Sequence, residues 1–145
     1  LPFLDAVNEY LSAQGLPVSQ PIQGTANPQN RLEKGFGVQA EIFGSHMKEA
    51  WKNGHINYWL AANCFGDYYT RRGLTLAQRE LITFCFLAAQ GGCEPQLTAH
   101  AAGNMNLGTD RVYLIRVVSQ ILPYIGYPRS LNAISCVNKA AEERK

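Results

Sequence analysis

Cys93, Gln96 and His100 stand at i, i+3 and i+7, a spacing that brings a thiol, an amide and an imidazole onto one strip if a single helix carries all three. A thiol beside an imidazole supplies the parts of a nucleophilic or redox site, and an imidazole alone is a proton carrier. Gly91-Gly92 ahead of Cys93 and Pro95 behind it put the thiol at or just before a helix start, where backbone N–H groups and the helix dipole lower a thiol's pKa. The expectation is a reactive thiolate. The same residues also suit a packed core, so their types and spacing leave both readings open. Glu80, with Arg79 beside it, lies near the start of an apolar run, and two placements fit. Turned inward, Glu80 makes a proton-transfer pair with an imidazole; turned outward, it complements the helix start or pairs with Arg79 or Arg72 at the surface. Glu94 precedes His100 by six residues, about 240° round an ideal helix, so it leaves the strip and reads as a first-turn charge unless the fold brings it round a pocket.

Other residue types with chemistry in them say less. His46, His55, Trp51 and Trp59 match no metal-ligand spacing, and Tyr68, Tyr69, Tyr113, Tyr124 and Tyr127 read as core and interface aromatics with wet hydroxyls. Cys64, Cys85, Cys93 and Cys136 contain no Cys-x-x-Cys pair, which predicts reduced thiols in an intracellular, cytoplasmic protein. Cys85 sits in an apolar run, as a small hydrophobe would, and should be the slowest thiol to alkylate, with Cys93 the fastest.

Positioning these residues falls to helices. Phe3, Val7, Tyr10 and Leu11 recur at helical spacing, so residues 3–14 are predicted to form a short amphipathic helix, followed by a Pro- and Gly-containing linker that completes an amino-terminal unit of residues 1–27. The helical domain is then residues 28–145. Asn27-Pro28 is a helix-start signal for a second helix reaching Phe43, which Gly35 and Gly37 weaken by about 1 kcal/mol each. Ser45 to Lys52 and His55 to Tyr69 follow, then the capping box Thr75-Leu76-Ala77-Gln78. The run Leu81 to Ala89 is apolar nearly all round, which predicts a helix surrounded by others. Further helices are expected from Pro95 to Leu107, from a Thr109 cap to Leu122, and, after a corner at Pro123, Gly126 and Pro128, from Ser130 to Glu143. No run alternates with period two. The fold class is all-α, a bundle of antiparallel neighbours.

Composition narrows the function classes. A formal net charge of +2, from 13 basic and 11 acidic residues spread along the chain, lacks the basic stripe that nucleic-acid binding needs. The longest apolar run is about half the roughly 20 residues of a membrane span, and Leu1-Pro2-Phe3-Leu4-Asp5 turns polar too soon for a secretory leader. With 46% hydrophobic and only 17% charged residues, the chain should hide apolar surface between copies of itself.

From about Phe65 to Val137 the chain reads Arg72-Gly73-Leu74-Thr75, Arg79-Glu80-Leu81-Ile82-Thr83, Gly91-Gly92-Cys93-Glu94 with His100, Asn106-Leu107-Gly108, and Pro123-Tyr124-Ile125-Gly126-Tyr127-Pro128. In order and spacing this resembles the carboxymuconolactone decarboxylase family, which includes the AhpD-like proteins. The resemblance implies an AhpD-like helical bundle that assembles as trimers or hexamers around a pocket bearing the histidine. It implies two activities. The peroxidase branch carries Cys-x-x-Cys-x-x-x-His with an assisting glutamate; Cys93, His100 and Glu80 match, but Gln96 replaces the second cysteine and removes the internal dithiol. The decarboxylase branch uses the histidine and carboxylates on a carboxylated lactone, and Gln96 again stands where a glutamate is often found. The leading expectation is therefore a lyase for a small carboxylated ring. In it His100 moves the proton, Glu80 orients His100, Arg79 or Arg72 holds the substrate carboxylate, Glu94 and Gln96 line the site, and no metal or organic cofactor is required. A thiol peroxidase centred on Cys93 and an oligomeric binding protein are the alternatives.

Overall fold

The computed structural model describes residues 2–16 and 23–144, so residues 17–22 of the linker expected after the first helix lie outside the described residues. Among the described residues there are helices and no strand, as an all-α chain requires. They are α1 Pro2–Ala13, α2 Arg31–Phe43, a 3-10 segment Ser45–Lys52, α3 His55–Trp59 running directly into a π-helical stretch Leu60–Tyr68, α4 Leu76–Gln90, α5 Glu94–Asn106 and α6 Arg111–Glu142. No helix among them is long and apolar enough to cross a membrane.

Local chemistry sets the ends. Thr75 accepts from the Gln78 N–H while Gln78 accepts from the Thr75 N–H, so both start-of-helix donors of α4 are satisfied. Asn27 acts earlier than expected: its side chain accepts from the N–H groups of Gln29 and Asn30 in a turn, and α2 begins only at Arg31. Asp110, one residue past the predicted Thr109, caps α6 through the Tyr113 N–H at 2.7 Å. The two carboxy-terminal helices expected on either side of the Pro123, Gly126 and Pro128 corner are present as the two arms of α6, which meet in a kink where Gly126 takes φ 76° and ψ 169°, values that break the helix and that a side chain would resist. His55 to Tyr69 also departs from a plain α-helix, since its second part widens so that the Tyr69 N–H reaches the Cys64 carbonyl five residues back.

Two apolar cores share the bundle. Phe84 and Ala88 of α4, Leu97 and Ala101 of α5, and Leu114, Val118 and Val137 of α6 make the larger. Ile42 of α2 packs with Phe65 and Tyr69 in the smaller. Backbones meet closely in the second: a Cβ on Gly35 would lie 1.8 Å from the Ala61 carbonyl oxygen, and one on Gly66 would lie 2.1 Å from that of Arg31. Gly35 is thus a packing requirement and not simply the weak point that its helix propensity suggests. Helix α4 is not surrounded, either. Its inner side is buried, but Phe86 is 70% exposed and Ile82 partly so, because no element among the described residues covers that side.

Candidate active site

Glu80 is fully buried in the second turn of α4, where a lone carboxylate would be costly without partners. It has them. His100 Nδ1 lies 2.6 Å from Oε1, and the Tyr69 hydroxyl lies 3.0 Å from Oε2. Tyr69 has one proton; donated to the carboxylate, it leaves the phenol oxygen to accept from Thr83, whose Oγ1 is 2.5 Å away. Burial, then the Glu80 charge, push the Tyr69 phenol well above its ordinary value, so it stays a donor. Of the two placements open to Glu80, the structure has the inward one. The arrangement depends on Gly103 of α5, since a Cβ there would stand 2.7 Å from Glu80 Oε1 and 2.6 Å from Ile42 Cγ2. Asn104, one residue on, donates to the backbone oxygens of Glu80 and His100 and ties α4 to α5 at this level.

With Nδ1 held by the carboxylate, Nε2 is the nitrogen His100 has left to offer, and no hydrogen bond occupies it among the described residues. The ring is fixed edge-on by Phe43, centroids 5.2 Å apart at 87°. His100 borders a cavity of about 310 Å3 whose inner wall is Gln39, Phe43, Met47 and Phe65, with Gln96, Ala99, His46 and Leu60 toward the outside. These are the parts an acid–base site needs. A buried carboxylate fixes an imidazole from behind, and the free face of the imidazole meets a mostly apolar hollow.

The sequence-derived candidates divide. His100, Glu80 and Gln96 come together, two in the dyad and one on the cavity wall. Cys93 does not join the strip: α5 starts at Glu94, Cys93 takes φ −137° and ψ 40° as its cap, and its thiol points to the Leu87 carbonyl 3.4 Å away. Its expected low pKa is also reversed. Partial burial, the Glu94 carboxylate and the neighbouring Cys136 push the thiol up. Cys85 is partly exposed, and Cys136 is the most buried of the four thiols. Glu94 receives Asn132 Nδ2 at 3.3 Å in a separate groove with Cys136 and Lys139. Arg79 donates from Nη2 to the carbonyls of Arg71 and Arg72 at 2.8 and 2.9 Å, closing the loop before α4, and Arg72 is exposed; neither lines the cavity of His100. Sequence reasoning missed Gln39 and Phe43. Gly35, Gln39 and Ile42 form the buried stripe of α2, and a polar residue on such a stripe was the available signal.

The chain is thus all-helical among the described residues, with the Glu80–His100 contact at the edge of a mostly apolar hollow. The carboxymuconolactone decarboxylase family profile matches residues 56–139, and the chain belongs to that family. No curated protein matches the chain closely enough to count.

Proposed function

We propose that the chain is a carbon–carbon lyase of the decarboxylase type, acting on a small ring whose carboxylate sits on a saturated carbon next to a carbonyl or to a C=C bond conjugated with one. The observation that carries this is the Glu80–His100 contact of 2.6 Å at the wall of an apolar cavity. In the step, the bond from ring carbon to carboxylate breaks, its electron pair passes into the carbonyl to give an enolate, and carbon dioxide leaves. His100, protonated on both nitrogens and paired with the Glu80 carboxylate through Nδ1, then gives its Nε2 proton to the carbon and takes up another from water before the next turnover. Neither Lys nor Arg lines the cavity, so a carboxylate held there has lost water without gaining a cation. Its departure as a neutral molecule relieves that cost, whereas an arginine clamp would oppose it.

The thiol-redox reading draws less support, because Cys93 lies outside the cavity with its thiol turned to a backbone carbonyl. Incubation with a panel of γ-carboxylated unsaturated lactones, from monoacids to the diacid γ-carboxymuconolactone, should release carbon dioxide. His100→Gln should keep its fold and lose about 100-fold or more of that rate, the usual share of a general acid–base group. Absence of carbon dioxide across the panel, or full turnover by His100→Gln, sinks the proposal. The same reading takes self-association as the working state.

A further inference from the structure

Gln39 is the one polar side chain of the inner cavity wall besides His100, and it is only 2% exposed. Its Oε1 is buried with no hydrogen-bond partner. The contrast with Asn104 is informative, since that buried amide uses its nitrogen to bind two backbone carbonyls and has an evident structural task. No such task accounts for Gln39. A leucine of similar length would fill the same place on α2 without burying an unmet polar atom, so folding alone does not favour glutamine here. Gln96 and His46, the other polar groups of the cavity, are exposed and can meet water at any time.

We infer that Gln39 is the carbonyl-binding group of the cavity, and that the substrate is a small ring with one conjugated carbonyl oxygen and one carboxylate. The inference rests on the lyase reading for what happens at His100, and goes beyond it in naming the group that receives the electrons. The amide reverses by turning about its last torsion, so an N–H can be presented to the carbonyl oxygen. As the bond to the carboxylate breaks and that oxygen becomes an enolate, the N–H donates to it while His100 protonates carbon on the same ring. Two features bound the ligand. A cavity of about 310 Å3 is at the low end for small-molecule sites, and the absence of Lys and Arg from its lining leaves a second carboxylate unmatched.

Calorimetric titration with two inert acids tests this without turnover. The probes are γ-carboxy-γ-butyrolactone and tetrahydrofuroate, the same ring with and without the carbonyl. The wild-type protein should bind the lactone acid about tenfold more tightly, as a hydrogen bond to a buried unmet amide is worth. Gln39→Leu should erase that preference, bind tetrahydrofuroate within about twofold of wild type, and melt at the same or a higher temperature. A structural role for Gln39 would instead lower the melting temperature and weaken both acids alike. Equal binding of the two acids by the wild type, no binding of either at millimolar concentration, or a preference that survives Gln39→Leu overturns the inference. Failure of the lyase reading looks different. In that case the Gln39-dependent preference is present and carbon dioxide release is absent, whereas turnover with an unaltered rate in Gln39→Leu discards the inference and leaves the lyase standing.

Discussion

Each oxygen of Glu80 has one strong donor, His100 on Oε1 and Tyr69 on Oε2, and removal of either leaves part of a buried carboxylate unmet. Tyr69→Phe deletes one hydroxyl and little volume, so its cost reports that contact. Stability should fall by about 1.5 to 3 kcal/mol, as for a hydrogen bond to a charged group, and urea unfolding measures it. A change under about 0.5 kcal/mol would mean that Thr83 or water takes over the place of the phenol. The cysteines yield a second expectation at this scale, with a definite sign. A raised pKa means that Cys93 is mostly thiol at neutral pH, so its alkylation should be slow there and keep climbing about tenfold per pH unit beyond its ordinary value of 9.0. Cys136, held beneath α5 with its thiol toward the Glu94 carbonyl, should be the last of the four to react in the native protein. Mass mapping after timed iodoacetamide treatment at several pH values gives both answers. A Cys93 rate that is flat between pH 7 and 9 would instead show a thiolate already formed, and would return the redox reading to favour.

Helices α2 and the π-helical stretch approach so closely that two glycines of the same helix should respond oppositely to the same substitution. Gly35→Ala places a methyl 1.8 Å from a backbone oxygen that cannot step aside, and should cost about 3 kcal/mol or more or prevent folding. Gly37→Ala meets nothing within 4 Å and should stabilise by about 0.5 to 1 kcal/mol through helix propensity. Equal effects in thermal melts would mean that the helices do not pack as described. The pair also shows what was legible in advance. Propensity alone treats Gly35 and Gly37 alike, since the close approach of Ala61 is a long-range fact with no local trace. Signals carried by a few neighbouring residues were readable: the Thr75 capping box, the Gly91 stop of α4, and the bend at Gly126. The Glu80–His100 pair was half legible, because family spacing singled out both residues while burial chose between two placements of Glu80. Cys93 misled because the strip assumed a helix one residue longer than the Gly91-Gly92 turn permits. Gln39 stayed hidden because a glutamine on an otherwise weak helix is unremarkable until a cavity is found beside it.

The whole chain leaves more aromatic surface in water than a lone subunit of this size is expected to show. Phe86 and Ile82 on the outer side of α4 join Tyr68 and Leu74 round a shallow cleft, while Tyr124, at 88% exposed, and Tyr127 flank the bend of α6. On α1 the helical stripe Phe3, Val7 and Tyr10 is exposed as well, so its amphipathic pattern has no matching surface among the described residues. Scattered apolar residues need no explanation, but the α4 cluster is contiguous, and it lies on the helix whose opposite side holds Glu80. Association through this side would bury Phe86, complete the enclosure that the apolar run of α4 predicts, and stiffen the helix that carries the dyad. Light scattering after gel filtration should therefore give a mass that is a multiple of 16.0 kDa at micromolar concentration. Phe86→Asp should lower that mass, with helical content retained, because a carboxylate cannot be buried cheaply against another apolar face. A wild-type mass near 16.0 kDa would rule out assembly, and an undiminished mass for Phe86→Asp would move the interface away from α4, toward α1 or the α6 bend.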